Sequence, residues 1–451
     1  MPVSSTGGIG SADDGEDGRA DAAGGGVGPA PDGPRGVPAA PGRPVRVAIV
    51  GTGGIAGIHA QSLAALGGRA EIVAAADVDH ARLDAFCDRW QVPGRFTGLD
   101  ALLAGSPPDL VHLCTPPGLH KEQALACLAA GVPVLCEKPP TLSLADLDEI
   151  GAAERAGGAF FATVFQHRFG SGAARLRAAM ATGALGRPLV AVCHTLWYRP
   201  DAYFAVPWRG RWETEGGGPT MGHGIHQFDL LLAVLGEWRE ITAVAARLAR
   251  PTAAEDVSCA IATFDGGAVA TVVNSLLSPR ETSYLRFDFE HATVELEHLY
   301  GYGDADWRVH PAPGHEDAVA AAWEAGPSGR PSGHSAQFAA VLDAVAAGAA
   351  PPVTLAEARR TLEFVAATYA SAFEGRPVAR GTIGPADPYH RRMQGPGAPW
   401  PAEAAAPAGP AAPPEAAAPA GPAAPPEAAA PAEAAASAVP AVSASPEEPS
   451  R

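Results

Sequence analysis

Val45-Arg46-Val47-Ala48-Ile49-Val50 runs straight into Gly51-Thr52-Gly53-Gly54-Ile55-Ala56-Gly57, and that turn runs straight into a helical pattern lasting to about residue 66. A strand, a glycine-rich turn and a helix in immediate succession admit few folds. Gly51 permits the tight turn, Gly53 lets backbone amides approach a pyrophosphate, and Ala56 takes the small-residue position where helix meets strand. Gly54 and Ile55 open a helix whose orphan N–H groups and partial positive charge suit phosphate oxygens. Gly51, Gly53, Gly54, Ile55 and Ala56 are therefore candidate cofactor-binding residues, and the stretch predicts a dinucleotide site.

The next apolar run, residues 71–76, ends at Asp77. An acidic side chain there grips the adenosine ribose hydroxyls and repels a 2′-phosphate, and no arginine follows immediately to offset it, so NAD is expected over NADP. Helix N-cap is the competing role for such an aspartate, and Asp79 can fill it instead. A buried strand over 109–114 leads into Thr115-Pro116-Pro117-Gly118-Leu119-His120, a loop expected on the cofactor side, with Thr115, Pro116 and His120 as candidate contacts. A helix over 121–130 precedes Val134-Leu135-Cys136-Glu137-Lys138-Pro139, a short strand stopped by prolines. Lys138 thus sits at a strand's carboxyl end, where open parallel sheets bind ligands, and Glu137 and Lys138 join the cofactor-side candidates. A helix from about 143 and a strand over 160–165 continue the alternation of β and α that marks a doubly wound parallel sheet, closing near His167-Arg168-Phe169.

Beyond residue 168 the pattern changes. A helix over 172–181 is followed by strand-like runs at 189–196, 241–248, 257–264, 268–276, 284–289 and 293–299, with a hairpin signal at Phe264-Asp265-Gly266-Gly267-Ala268. Strands joined by short turns predict a mainly antiparallel sheet whose open face serves as a subunit interface in a homodimer or homotetramer. Helices over 334–347 and 355–373 finish the fold, the second N-capped by Thr354 with Glu357 as its box partner. The expected organisation is a nucleotide-binding domain over 45–168 and an α+β substrate and oligomerisation domain over 169–380.

Residues 1–44 are rich in Gly, Pro, Ala and Asp, and residues 381–451 are dominated by Ala, Pro and Glu, with a twelve-residue unit from Glu403 that recurs from Glu415 and in part from Glu427. Neither stretch carries enough apolar surface to offset its ordering entropy, so both are expected to be disordered tails. The formal charge of −17 argues against a nucleic-acid surface. No apolar run approaches the roughly 18 residues that cross a bilayer, and the acidic beginning is unlike a signal peptide, so a cytoplasmic protein is expected. Cys87, Cys114, Cys127, Cys136, Cys193 and Cys259 lack a Cys-x-x-Cys pair and read as small buried thiols.

Chemistry concentrates in Glu215-Gly216-Gly217-Gly218-Pro219-Thr220-Met221-Gly222-His223-Gly224-Ile225-His226-Gln227-Phe228-Asp229. Three glycines make a close-approach loop, and His226 is placed near a helix N-terminus, where the dipole keeps the imidazole neutral. His223, His226 and Asp229 recur at spacing three, but no fourth ligand accompanies them and no metal is expected. Together with the glycine turn followed by His59, Thr115-Pro116 with His120, and Glu137-Lys138-Pro139, this segment resembles the glucose-fructose oxidoreductase/inositol dehydrogenase/rhizopine catabolism (Gfo/Idh/MocA) family, in order and across the whole region between the tails.

The resemblance implies a Rossmann domain joined to a C-terminal domain with an open sheet, and NAD(P)-dependent redox chemistry on sugars, cyclitols or related polyols. It places Lys138 and His226 as the catalytic pair that shares the proton task. One departure stands out: family dehydrogenases similar to the inositol enzyme carry an aspartate four residues before the histidine, and here that position is Gly222. Glu137 would oppose a lowered lysine pKa and is expected to point elsewhere. Arg168, Tyr198, Trp208, Arg209 and Trp212 are candidate substrate contacts, with His223 beside them, since aromatic faces and forked donors suit polyhydroxylated rings. The same tryptophans could simply anchor a surface loop. Alternatives to a dehydrogenase are an enzyme that retains NAD for glycoside cleavage or epimerisation, and a catalytically weak cofactor-binding regulator on the same fold.

Overall fold

The computed structural model describes residues 43–105 and 107–400. The first sheet holds β1 (Val45–Val50), β2 (Ala70–Ala76), β3 (Gly94–Phe96), β4 (Leu110–Leu113), β5 (Val134–Cys136) and β6 (Phe161–Thr163) in the order β3-β2-β1-β4-β5-β6. Every pairing is parallel. β4, β5 and β6 are buried along their whole length because helices cover both faces, which is why their sequences do not alternate. The strand order reverses between β1 and β4, so the segments leaving these two strands flank a crevice. Gly51 lies there at φ 85°, and a Cβ on it would come within 2.8 Å of the Cys114 carbonyl oxygen. Only glycine lets the first turn press this closely on the end of β4.

The second sheet holds β7 (Pro188–Tyr198), β8 (Trp238–Ala246), β9 (Val257–Phe264), β10 (Val269–Ser275), β11 (Leu277–Phe289), β12 (Ala292–His298), β13 (Trp307–Pro311) and β14 (Val378–Ala379) in the order β13-β12-β11-β7-β10-β9-β8-β14. It is antiparallel except for the β7–β10 pair. The anticipated hairpin joins β9 to β10, with Phe264 N–H donating to the Ala268 carbonyl at 2.9 Å. One face is covered by the helices Ile225–Leu235 and Leu355–Glu374, the latter opened by the Thr354/Glu357 capping box. On the other face Val190, Val244, Ile261 and Val269 are 40–68% exposed. Cys259 shares that face and is exposed, unlike the five other cysteines, because strict alternation along β9 turns it away from the covering helices.

The helix His334–Ala347 returns to the first sheet, and its Phe338, Val341, Leu342 and Val345 are buried with Val47, Ile49 and Leu135. Residues 381–400, expected to belong to the tail, are instead packed. Ile383, Tyr389 and Met393 are buried, Asp387 caps the short helix Pro388–Arg391, and Trp400 Nε1 donates to the Ala253 carbonyl at 2.9 Å. These apolar anchors are spaced among prolines and charges that mask them in the composition. Arg43 is likewise placed, paired with Asp109. The expectations for residues 1–42 and 401–451, repeat included, lie outside the described residues. Among the described residues no helix is long and apolar enough to cross a membrane.

Candidate active site

The glycine turn is tied to the end of β2 through Asp77. Its Oδ2 accepts from Thr52 N–H at 2.8 Å and Thr52 Oγ1 at 2.9 Å, and its Oδ1 accepts from Asp79 N–H at 2.9 Å. Burial pushes this carboxyl up, but the Arg82 guanidinium and the Asp79 and Thr52 donors outweigh it and hold it at about 2. Arg82 is five residues downstream, beyond the stretch where the sequence offered no arginine, and the turn of helix after Asp79 swings it back onto Asp77. Asp79, not Asp77, is the N-cap, accepting from Arg82 N–H at 3.0 Å. A Cβ on Gly53 or Gly54 would meet no protein atom within 4 Å, so the outer side of the turn can be approached closely, as a pyrophosphate requires. Ile55 and Ala56 lie in the helix Gly54–Ala64, Ala56 buried against the sheet.

The loop after β4 is held from within. His120 is buried and bridges the Thr115 carbonyl at 2.8 Å and the Pro139 carbonyl at 3.0 Å, while Thr115 Oγ1 donates to Gln123 at 2.6 Å. His120 therefore clamps the loop carrying Pro116 to the segment after β5, and its own ring is not presented to a cofactor.

Glu137 is hydrogen-bonded to its own partners and not to Lys138's amine, yet, against expectation, its charge is the largest one opposing the lowered lysine pKa. Its Oε1 receives His59 Nε2 at 2.8 Å and lies 3.4 Å from His334 Nε2, and its Oε2 accepts from Lys138 N–H at 3.1 Å. Burial would raise this carboxyl, yet His334 and His59 hold it well below the usual range. Burial keeps His59 neutral, so its Nε2 donates to Glu137 and its Nδ1 accepts from His112 Nδ1 at 2.9 Å. The ligand atoms of His59, Glu137 and His334 lie within 4.8 Å of one another, a spacing that could hold a cation. Pairing of ionised carboxylate with imidazole donors already accounts for their burial.

Lys138 lies at the start of the segment after β5, and its Nζ donates to the Gly222 carbonyl at 2.9 Å. Its pKa is lowered: burial dominates and Arg209 and Arg199 add to it, against Glu137 and Glu215. Three histidines feel the same charge. Burial, then Lys138, then His167 push His226 well below its ordinary value, burial with Arg199 and Lys138 does the same to His223, and burial with His334 and Lys138 takes His167 to about 3. Both ring nitrogens of His226 and of His167, and Nδ1 of His223, are buried without a protein partner. The His226 and His167 rings lie 4.9 Å apart, flanked by Tyr300, and His223 sits edge-on to Trp197 at 4.8 Å.

His226 is not at a helix N-terminus. A wide π-type turn, Thr220–Gly224, runs without a break into the helix Ile225–Leu235, so the helical N–H groups beside His226 are not orphaned and burial and Lys138 keep the ring neutral. The triple glycine is required before that turn. A Cβ on Gly217 would fall 2.1 Å from the Tyr369 hydroxyl and one on Gly218 only 1.9 Å from the Glu255 carbonyl oxygen. Glu255 in turn accepts from Gly218 N–H at 3.0 Å, Thr220 N–H at 3.1 Å and Tyr369 at 2.8 Å.

Two expected substrate contacts are placed elsewhere. Arg168 is buried and spends its guanidinium on Asp229, with Nε donating at 2.8 Å and Nη2 beside the other oxygen, and on Glu357. It locks the short turn Gln166–Phe169 to two helices, and Asp229, thus engaged, is not available as a ligand beside His223 and His226. Its neighbour His167 faces the site instead, a distinction one residue apart that composition does not carry. Trp212 is also buried, with Nε1 on the Ala253 carbonyl at 2.9 Å and its ring against Tyr369. Trp208 and Arg209 stack, Arg209 lying 4.6 Å over the Trp208 ring and 3.9 Å over Tyr203, and Tyr198 is partly exposed beneath Arg250. Trp197, Arg199, Tyr203 and Tyr300 were not singled out; they come from strand ends and loops without motif or periodicity.

A doubly wound sheet whose glycine turn fits a dinucleotide, joined to a second sheet that sets histidines around a strand-end lysine, is the architecture of a nicotinamide-dependent oxidoreductase. Residues 45–165 match the oxidoreductase family with an NAD-binding Rossmann fold, and residues 173–297 match the Gfo/Idh/MocA C-terminal domain. The chain belongs to the Gfo/Idh/MocA family, and its first sheet is an NAD-binding Rossmann fold. D-glucoside 3-dehydrogenase of Escherichia coli K12 is 33% identical over 193 residues, 42% of this chain and 53% of that protein. D-apiose dehydrogenase of Paraburkholderia graminis is 27% identical over 355 residues, 73% of this chain and 88% of that protein. The chain spans about half the length of the first curated relatives it matches. The crystal structure of the WlbA dehydrogenase from Chromobacterium violaceum, in complex with NADH and UDP-GlcNAcA, is similar with a TM-score of 0.67 and 27% identity, covering 77% of this chain and 99% of that one.

The buried clamp yields a stability prediction. Asp229→Asn should cost about 3 kcal/mol by leaving Arg168 poorly paired in the interior. Denaturant unfolding checks it, and an unchanged midpoint would return Arg168 to the list of substrate contacts.

Proposed function

We propose that this protein is an NAD-dependent dehydrogenase or reductase acting on a secondary alcohol of a sugar, cyclitol or related polyol, with Lys138 and His226 handling the proton. The carrying observation is a lysine of lowered pKa at the carboxyl end of β5, ringed by buried imidazole nitrogens that have no protein partner. Buried polar atoms are rarely left unpaired, so these nitrogens point to a bound polyhydroxylated ligand. The names of relatives, D-glucoside 3-dehydrogenase and inositol 2-dehydrogenase of Acidothermus cellulolyticus among them, support the substrate class.

In this reading the nicotinamide ring of bound NAD supplies the hydride acceptor. Gly51, Gly53, Gly54, Ile55 and Ala56 hold its pyrophosphate side, and Asp77 the ribose hydroxyls. In the oxidative direction the neutral Lys138 amine takes the hydroxyl proton as the carbinol carbon gives up its hydride, leaving a carbonyl and an ammonium. His226, neutral and with both nitrogens unengaged, hydrogen-bonds the same oxygen and steadies it as the proton leaves for Lys138. Trp208 and Arg209 bound the sugar's outer face. Because the base must be deprotonated, oxidative turnover rises with pH through the lowered pKa of Lys138.

The exposed apolar face of the second sheet is read as the contact for a second copy of the chain, as a homodimer or homotetramer. Val244, Ile261, Val269 and Val190 form an uncharged patch on adjoining strands in a strongly acidic chain.

Three measurements check this reading. With NAD and a panel of sugars, inositols and sugar acids, reduced nicotinamide should appear with one class, and Lys138→Ala should cut kcat by about 1,000-fold with NAD affinity unchanged; normal turnover in that variant overturns the assignment. Asp77→Ala should weaken NAD by about tenfold and NADP less, read by fluorescence titration, and equal losses would mean that the carboxylate does not read the ribose. Ile261→Glu should convert the assembly to monomers in sedimentation velocity, and an unshifted species would place the interface elsewhere.

A further inference from the structure

Residue 222 lies between the site lysine and a carboxylate. Lys138 Nζ donates to the Gly222 carbonyl at 2.9 Å, and Gly222 brings no side chain of its own. A Cβ built there would have Glu215 Oε1 as its neighbour, at 3.7 Å, with no other side chain or loop atom within 4 Å. Glu215 is itself only 8% exposed. It precedes the triple glycine, whose tight return carries it back over the turn that follows. Its Oε2 is held by Gly210 N–H at 2.6 Å and its Oε1 lies 3.9 Å from Arg209 Nη1, at the outer edge of ion-pair distance; burial pushes the carboxyl up, against Gly210 N–H, Arg209 and Lys138.

We propose that Glu215 is a positioning residue for the reaction: reaching in from before the triple glycine, it places a carboxylate across residue 222 from Lys138 and, together with Glu137, sets the lysine's basicity. This deepens the reading of Lys138 as the proton acceptor and rests on it. The groups that face the amine are few. Glu137 and Glu215 are its anions; Arg199 after β7 and Arg209 in the following loop are its cations; His167, His223 and His226 are neutral through burial. Glu137 is hydrogen-bonded by a neutral His59 and keeps its charge, so it raises the amine's pKa most, and Glu215 comes next. Glu215 therefore adds to Glu137 in offsetting the two arginines, whose fields would otherwise depress the buried amine further and make it a weaker base toward an alcohol proton.

The chain makes this directly measurable, because Lys121 and Lys138 are its only lysines. The full-length protein is treated with acetic anhydride over a pH series, and acetylation of the Lys138 peptide is followed by mass spectrometry. Lys121, bound to Asp146 and Glu149, serves as internal reference. In Glu215→Gln, which retains an acceptor for Gly210 N–H, loss of the negative charge lowers the amine's pKa, so the Lys138 curve moves to lower pH by about one unit while the Lys121 curve stays. Gly222→Asp added to that variant moves it back. Gly222→Asp alone, which leaves Glu215 in place and does not depend on Glu215→Gln folding, moves the curve to higher pH. Superimposed curves in the folded variants overturn the proposal. Because no substrate is used, that failure is distinct from turnover surviving in Lys138→Ala, which overturns the reading of the lysine.

Discussion

The ionised carboxylate of Glu137, buried at the end of β5, is the contact on which the rest of the site depends. It binds His59 in the helix that leaves the glycine turn, lies against His334 at the start of the helix that returns from the second sheet, and holds the N–H of Lys138. One side chain thus fixes three segments that diverge widely in sequence. A buried charge is tolerated only when it is so surrounded, and removing any partner would leave it exposed to the full desolvation cost. The His112–His59–Glu137 chain also sets the tautomer of His59, since a neutral ring that donates to the carboxylate must accept at its other nitrogen.

Glu255 plays the matching part on the opposite wall. Its carboxylate gathers Gly218 N–H, Thr220 N–H and the Tyr369 hydroxyl, and the backbone of 217 and 218 approaches so closely that no side chain fits. Tyr369 belongs to the long helix Leu355–Glu374 that covers the second sheet. The turn bearing His223 and the helix bearing His226 are therefore positioned by the core of the second sheet, while Lys138 is positioned by the first. The lysine's bond to the Gly222 carbonyl ties the two directly.

Local signals were legible in the sequence wherever backbone geometry demands a particular residue. The glycine turn, the proline stop after Lys138, the β9–β10 hairpin and the Thr354 capping box each follow from steric or hydrogen-bonding rules that act within a few residues. Side-chain direction was less accessible. Arg168 carries the residue type that binds sugars and lies where a site was expected, yet Asp229 and Glu357, sixty and nearly two hundred residues away in sequence, claim it. His167 beside it turns toward His226 for lack of any such partner. Likewise the π-type turn before His226 leaves no mark in periodicity, so the ring was assigned a helix dipole that the continuous helical chain removes. The packed residues 381–400 were lost to composition averaged over a Pro-rich stretch that hid Tyr389, Met393 and Trp400.

The electrostatics of the site follow from where each charge is already committed. Arg168 and Asp229 neutralise one another below the histidines, Asp77 is answered by Arg82, and Glu137 by two imidazoles. Facing Lys138 are a pair of arginines held against aromatic rings, the ionised Glu137, and a second carboxylate anchored by a backbone amide. A base used at neutral pH needs a lysine destabilised as an ammonium but not stripped of basicity, and burial alone supplies only the first half of that requirement. The arginines push in the same direction as burial. The balance therefore falls to the two carboxylates that oppose them, Glu137 first and Glu215 after it.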